Sequence, residues 1–253
     1  MRPFDLLIFD LGGTLLYFDG EWPDVFARAN AELLRHLQAA ALDLPGEDFL
    51  REFRTRLESY YAERDAEFVE YTTAYVLSGL LAEFGYPDYP ESQLRAALQA
   101  MYAVSQTHWH PEEDSLPTLN LLRQQGYRLA LISNASDDAD VQSLVDKAGI
   151  RPFFELILTS ASAGIRKPNP EIFRTMLDKL DVAGERAAMI GDTLGADILG
   201  ARNAGLFGIW ITRRAGTAAN YAHAGLIRPD AVIDTLAELP ERLQQLVQPA
   251  RSG

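Results

Sequence analysis

Four short segments of this 253-residue chain carry polar groups that an apolar sheet has no use for. Asp10 ends the apolar run LLIF and leads into a Gly12-Gly13-Thr14 turn, and Ser133 and Asn134 follow the run LALI. Lys167 stands in GIRKPNP, while Asp192 and Asp197 belong to GDTLGAD. Together they offer a carboxylate suited to nucleophilic attack, hydroxyl and amide donors, one cation and two further acids. That inventory suits phosphoryl transfer. A carboxylate approaching a phosphate dianion meets repulsion, which a lysine and a divalent cation can neutralise. Mg²⁺ prefers oxygen ligands and takes few of them from protein, so these acids match it. Each segment alone has an ordinary reading. Asp-x-Gly-Gly is good turn chemistry, Ser133-Asn134 would serve to cap a helix starting at Asp137, and Asp192 would serve to cap the helix after it. Their joint appearance at strand ends favours a site.

The elements that must position these groups are legible as two alternating textures. Short apolar runs occur at 6–10, 128–133, 155–159, 187–191, 207–212 and 231–234, with helix-like segments between the later ones. Repeated strand–helix units predict an α/β core, a Rossmann-like, doubly wound parallel sheet. Carboxyl ends of the strands in such sheets are where ligands bind. Asn169-Pro170-Glu171 reads as N-cap, first-turn proline and early acid of a helix running to about Leu180. Gly205 is placed to end a helix that begins near Leu194.

Residues 21–108 look different. Their apolar residues recur at helical spacing: Phe26, Leu33, Leu34 and Leu37, then Phe49, Phe53, Leu57 and Tyr60. Val76, Leu80, Leu81 and Phe84 follow, then Leu94, Ala97, Leu98 and Met101. Pro45 and the Tyr86–Pro90 stretch punctuate them. Roughly four helices are therefore expected as a bundle inserted after the first strand, with the chain returning to the sheet near Pro111. The domain reading is a core of 1–17 and 110–253, with a helical cap domain of 18–109. The terminal QPARSG is expected to fray.

Composition limits the partners. A net charge of -13 repels polyanions, and no basic patch offsets it locally, so neither nucleic acid nor an anionic membrane is expected. The absence of cysteine removes disulfides, thiolate chemistry and Cys-based metal sites. No signal-like or membrane-length apolar run is present, which predicts a cytoplasmic protein. Oligomeric state has no visible signature.

In order and spacing, FDLGGTL, ISNAS, RKPNPEIF and GDTLGAD resemble the four motifs of the haloacid dehalogenase superfamily across nearly the whole chain. The long helical insert between the first two is similar to that superfamily's C1-type cap. The resemblance implies a Mg²⁺-dependent phosphatase of small phosphorylated metabolites. Carried over by position, Asp10 would attack phosphorus to form an aspartyl-phosphate, and Thr14 would belong to the turn after it. Ser133, the backbone amide of Asn134 and Lys167 would bind phosphate, with Lys167 also balancing the nucleophile's charge. Asp10, the Gly12 carbonyl and Asp192 would ligate Mg²⁺, and Asp197 would support the metal directly or through water.

Gly12 departs from the family pattern, which commonly has an aspartate there to protonate the leaving alcohol and then activate water. General acid–base help is worth roughly 10²–10⁴ in rate. Asp19, nine residues after Asp10, is a candidate substitute acid, although Asp19-Gly20 also reads as a turn opening the first helix of the insert. Other ways around the gap are substrates with good leaving groups, or a poorly active phosphate-binding protein with a regulatory or interaction role. A metal-independent 2-haloacid dehalogenase is a further alternative, disfavoured by the acidic GDTLGAD segment. His108 and His110 are read as linker residues, and Tyr60, Tyr61 and Arg64 as packing or surface that would otherwise face substrate.

Overall fold

The computed structural model describes residues 2–247, so the expected frayed end lies outside the described residues. In chain order, β1 (Leu6–Phe9) and β2 (Leu16–Phe18) lead into α1 (Trp22–Ala39), α2 (Gly46–Glu67), α3 (Thr73–Glu83) and α4 (Glu91–Gln106). After β3 (Trp109–Pro111) and α5 (Ser115–Gln124) come β4 (Arg128–Ser133), α6 (Asp138–Lys147), β5 (Leu156–Thr159), α7 (Ser160–Ala163) and α8 (Pro170–Leu180). The chain continues with β6 (Ala187–Gly191), a π-helical turn at Leu194–Ile198, α9 (Leu199–Asn203) and β7 (Phe207–Ile211). It ends in α10 (Ala218–His223), β8 (Ala231–Ile233) and α11 (Leu239–Val247).

Six strands form one sheet in the order β5-β4-β1-β6-β7-β8, and every pairing is parallel. The runs read from the sequence are these strands, with ends shifted by one residue at most. Alternation explains why they are so apolar. Leu7, Phe9, Leu129, Leu131, Ala188 and Ile190 enter the core on one face, while Leu6, Ile8, Ala130, Ile132, Ala187 and Met189 enter the other. Successive side chains point to opposite faces, so a strand covered by helices on both sides must be apolar at every position.

Helices α1–α4 enclose an apolar cluster of their own, including Leu33, Leu37, Phe49, Phe53, Leu80 and Leu98. These are the positions that the helical spacing picked out. Among the described residues no helix is long and apolar enough to cross a membrane.

Besides side-chain bonds from α4 to α6, such as Gln106 Nε2 to Asp140 Oδ1 at 2.7 Å, two backbone connections join the bundle to the core. The first is the antiparallel pair β2–β3, with Tyr17 opposite His110 and Phe18 opposite Trp109. Sequence reading missed it, because three-residue strands carry too little pattern. The second lies across the cleft, where the segment between α2 and α3 docks on the core. Glu70 N–H donates to Gly164 O (3.0 Å), Arg166 N–H to Phe68 O (3.0 Å) and Thr73 N–H to Ser136 O (2.9 Å). The Glu70 carboxylate, with no exposed side-chain surface, pairs with Arg64 at 3.2 Å and Arg166 at 3.8 Å. It also accepts from Ser160 Oγ at 2.7 Å, and that hydroxyl in turn accepts from Ala135 N–H at 2.8 Å.

Removing one partner from a buried ion cluster leaves uncompensated charge and costs about 3 kcal/mol or more. Glu70→Ala is therefore expected to lower unfolding stability by that order, read from urea melts. A change within about 0.5 kcal/mol would show that the docking segment holds without its carboxylate.

Candidate active site

Register brings the chemistry together. Phe9 lies beside Leu131 on one side and Ile190 on the other, so the next residues of β1, β4 and β6 emerge at one edge of the sheet. Asp10 stays tied there, its N–H donating to Ile190 O at 2.9 Å. Ser133 closes β4, and Asp192 follows Gly191 at the end of β6.

The loops then fold inward. Lys167, 2% exposed, enters from the segment before α8 and donates from Nζ to Asp10 Oδ1 at 2.6 Å, Asp197 Oδ1 at 2.7 Å and Ile132 O at 2.9 Å. An ammonium has three donors, and all three have protein acceptors here. Lys167 therefore holds and balances the carboxylates, and would touch phosphate only by releasing one of them. Asn134 fixes the lysine's backbone from both sides, with Nδ2 donating to Lys167 O and Oδ1 accepting from Lys167 N–H, each at 2.9 Å. The α8 start is as read, with Asn169 Oδ1 accepting from Glu171 N–H at 3.0 Å. The cap of α6, by contrast, is Asp137 alone, whose Oδ1 accepts from Asp140 N–H at 3.0 Å. Ser133 and Asn134 are thus free of that duty.

Two glycines make room for the acids. A Cβ on Gly13, whose φ is +78°, would lie 2.5 Å from Asp192 Oδ2, and one on Gly191 would lie 2.3 Å from the Asp197 carboxylate. Asp197 turns back over the π-helical turn, its Oδ2 accepting from Thr193 N–H at 2.9 Å. Asn220 and Trp210, both missed by sequence reading, donate to Asp192 O at 2.8 Å each and fix its backbone. An asparagine in a short alanine-rich segment gives no sequence signal of that role. Thr14 is fully buried in the turn.

Asp10, Asp192 and Asp197 present oxygens that all lie within 4.8 Å of one another. One ammonium cannot balance three carboxylates, and the electrostatics record it. Burial, with the neighbouring Asp197 charge, raises Asp10 to about 6 despite Lys167. Burial and the charges of Asp10 and Asp197 raise Asp192 to about 8. Burial pulls the Lys167 ammonium down, but Asp10 and Asp197 more than offset this and leave it above its ordinary value. Hard oxygen donors carrying surplus negative charge fit a divalent cation such as Mg²⁺.

Above this cluster lies a cavity of about 460 Å³ between sheet edge and bundle, lined from the core side by Asp10, Gly12, Ser133, Asn134, Lys167 and Asp197. Gly12 lies outside the left-handed region, and a Cβ there would meet the indole of Trp109 at 3.0 Å. Asp19 is not brought to this wall. It is exposed at the turn before α1, its backbone hydrogen-bonded to His108, and it does not line the cavity. This placement fits the turn reading of Asp19-Gly20 and not the candidate substitute acid. Of the bundle residues considered, Tyr61 lines the cavity, while Tyr60 packs on Tyr71 and Tyr75. Arg64 lies over the Tyr61 ring at 3.9 Å. Arg166, overlooked beside Lys167, also lines the cavity.

The haloacid dehalogenase-like hydrolase family matches residues 4–205. A glyceraldehyde 3-phosphate phosphatase of Methanopyrus kandleri is 32% identical over 190 residues, which are 74% of this chain and 76% of the relative. A phosphoserine phosphatase of Thermus thermophilus is 40% identical over 104 residues, 41% of each chain. Among solved structures, a 2-haloacid dehalogenase from Pseudomonas syringae superposes with a TM-score of 0.66 at 26% identity, covering 96% of this chain and 99% of the other.

The raised carboxylates set a pH dependence. Folding lifts both Asp10 and Asp192 above their ordinary 3.8, so the folded state binds more protons than the unfolded chain between about pH 4 and 8. Without divalent cations, stability is expected to fall as pH rises through that window and then level off. Mg²⁺ competes with those protons, so its stabilising effect should grow with pH over the same range. Thermal melts at stepped pH with and without Mg²⁺ measure both. A Mg²⁺ effect that does not change with pH would remove these carboxylates as its ligands.

Proposed function

The chain belongs to the haloacid dehalogenase-like hydrolases, and from that premise we propose that it is a Mg²⁺-dependent phosphatase of small phosphorylated metabolites. The observation that carries this reading is Asp10 and Asp197, bridged by Lys167 at the floor of the cavity, with an Asp192 oxygen within 4.8 Å of theirs. Relatives named as phosphatases of glyceraldehyde 3-phosphate and phosphoserine support the same class of reaction.

In this reading, Asp10 attacks phosphorus while the bond from phosphorus to the leaving oxygen breaks, and the leaving group departs with the electron pair. The Ser133 hydroxyl and Asn134 N–H hydrogen-bond the phosphoryl oxygens. Lys167 keeps the Asp10 carboxylate ionised and aimed. Mg²⁺, held by Asp10, Asp192, the Gly12 carbonyl and Asp197 (directly or through water), would offset the negative charge shared by nucleophile and phosphate. Water then attacks the aspartyl-phosphate, releasing phosphate and restoring Asp10. The bundle serves as the cap that shields this exchange from bulk water.

Dehalogenation is the second reading, favoured by the likeness to the Pseudomonas syringae dehalogenase. There Asp10 would displace halide from carbon, a reaction that leaves the carboxyl of Asp192 without a use.

With Mg²⁺, a panel of sugar phosphates, amino-acid phosphates, aryl phosphates and acyl phosphates is expected to include esters that release phosphate. Asp10→Asn should slow that release roughly a thousandfold or more. Phosphate release that persists in Asp10→Asn would overturn the mechanism, and halide release from 2-haloacids without Mg²⁺ would select the second reading.

A further inference from the structure

The cavity has two unlike halves. Its floor is the charged cluster, whereas the bundle and the return strand present Trp22, Phe26, Leu57, Tyr61, Met101 and Trp109. These side chains offer mainly flat rings and aliphatic surface. Of the hydroxyls that join them, those of Thr73 and Tyr102 bond each other at 2.7 Å and Ser105 Oγ donates to Tyr102 O at 3.0 Å, so these groups are already engaged within the protein rather than arrayed for a polyhydroxylated chain. A site that must bind sugar hydroxyls needs such an array, because a buried hydroxyl left unpaired costs about 1–3 kcal/mol. Trp22 stacks on Phe18 with centroids 3.8 Å apart and planes 4° apart, and it meets Trp109 edge-on at 6.1 Å. Half of Trp22 is exposed, so this aromatic group also forms part of the cavity's rim.

Trp109 has a second consequence. Its ring edge occupies the space that a side chain on Gly12 would enter, at 3.0 Å and 3.4 Å from the Cβ position. Beside the nucleophile, where a carboxylate would protonate the leaving oxygen, there is indole. Two other carboxylates line the cavity, and both have structural partners. Asp137 caps α6 and accepts from Arg95 at 3.3 Å, while Asp140 accepts from Gln106 Nε2 at 2.7 Å.

We infer that the substrates are phosphate monoesters of flat, apolar, acidic alcohols, the aryl phosphate class, whose leaving group is selected by the aromatic half of the cavity and departs as the anion. The inference rests on the phosphatase reading above and narrows it. Asp10 forms the new bond to phosphorus, the bond between phosphorus and the aryl oxygen breaks, and the aryloxide leaves with the pair. Water then cleaves the aspartyl-phosphate, and the proton it sheds goes to solvent or to the aryloxide. No proton is needed on the leaving oxygen in the first step, which is where the absent acid would otherwise cost roughly 10²–10⁴ in rate.

The test compares kcat/KM for 4-nitrophenyl, phenyl, 1-naphthyl, benzyl and glycerol phosphates with Mg²⁺. The naphthyl ester should exceed glycerol phosphate by about a hundredfold or more. Turnover should rise steeply from phenyl to 4-nitrophenyl phosphate. Benzyl phosphate, apolar but with a poor leaving group, should inhibit competitively and turn over slowly. Gly12→Asp combined with Trp109→Ala should flatten the dependence on leaving group, and Asp140→Asn should leave it unchanged. Glycerol phosphate turning over as well as the aryl esters, a flat leaving-group dependence in the unaltered protein, or a steeper one in Asp140→Asn would each overturn the inference while leaving a phosphatase. Release of phosphate from none of the esters, nor from acyl or sugar phosphates, would instead remove the phosphatase reading beneath it.

Discussion

One buried ammonium holds the site together. Lys167 lies between Asp10 and Asp197, and without it like charges would stand within a few ångströms of one another in a region shielded from water. Much of the core can be understood as the means of keeping it there. The register of β1, β4 and β6 places the acids, Gly13 and Gly191 give them room, and Asn134 grips the lysine's backbone. Buried charge clusters are poor sources of stability, since desolvation consumes most of the Coulomb gain. The rest of the sheet, apolar on both faces, must supply the folding free energy that this corner does not.

Chemistry and selection are divided between the two parts of the chain. The sheet edge supplies every charged group proposed to act on phosphorus, whereas the bundle contributes mainly rings and aliphatic side chains, with the hydroxyls of Thr73 and Tyr102 bonded to each other. A leaving group enclosed by the bundle therefore meets a low-dielectric wall, and its phosphoryl end meets concentrated charge. Such a gradient orients an amphipathic substrate without any hydrogen bond to its apolar part.

The sheet and the four reactive segments were legible because each is local. Strands buried on both faces write unbroken apolar runs, and Asn169-Pro170-Glu171 writes a helix start. The alternate-face pattern of α1–α4 likewise marks the helical insert. What was not legible depends on encounters between distant residues. Trp109 looks like any aromatic before a proline until β2–β3 pairing brings it against Gly12, 97 positions earlier. The roles of Asn220, Glu70 and Arg166 likewise arise from packing, which leaves no periodicity behind. Asp19 shows the converse: proximity in sequence to Asp10 suggested a shared site, but the turn at Gly20 directs it to solvent.

The return strand β3 has a dual position in the molecule. It is part of the ribbon through which the bundle is attached, and it carries the indole that lies against Gly12. The attachment of the bundle and the packing over Gly12 thus share one residue, Trp109. In the proposed mechanism, the strand that anchors the bundle and the wall beside the attacking carboxylate would therefore be one and the same piece of chain.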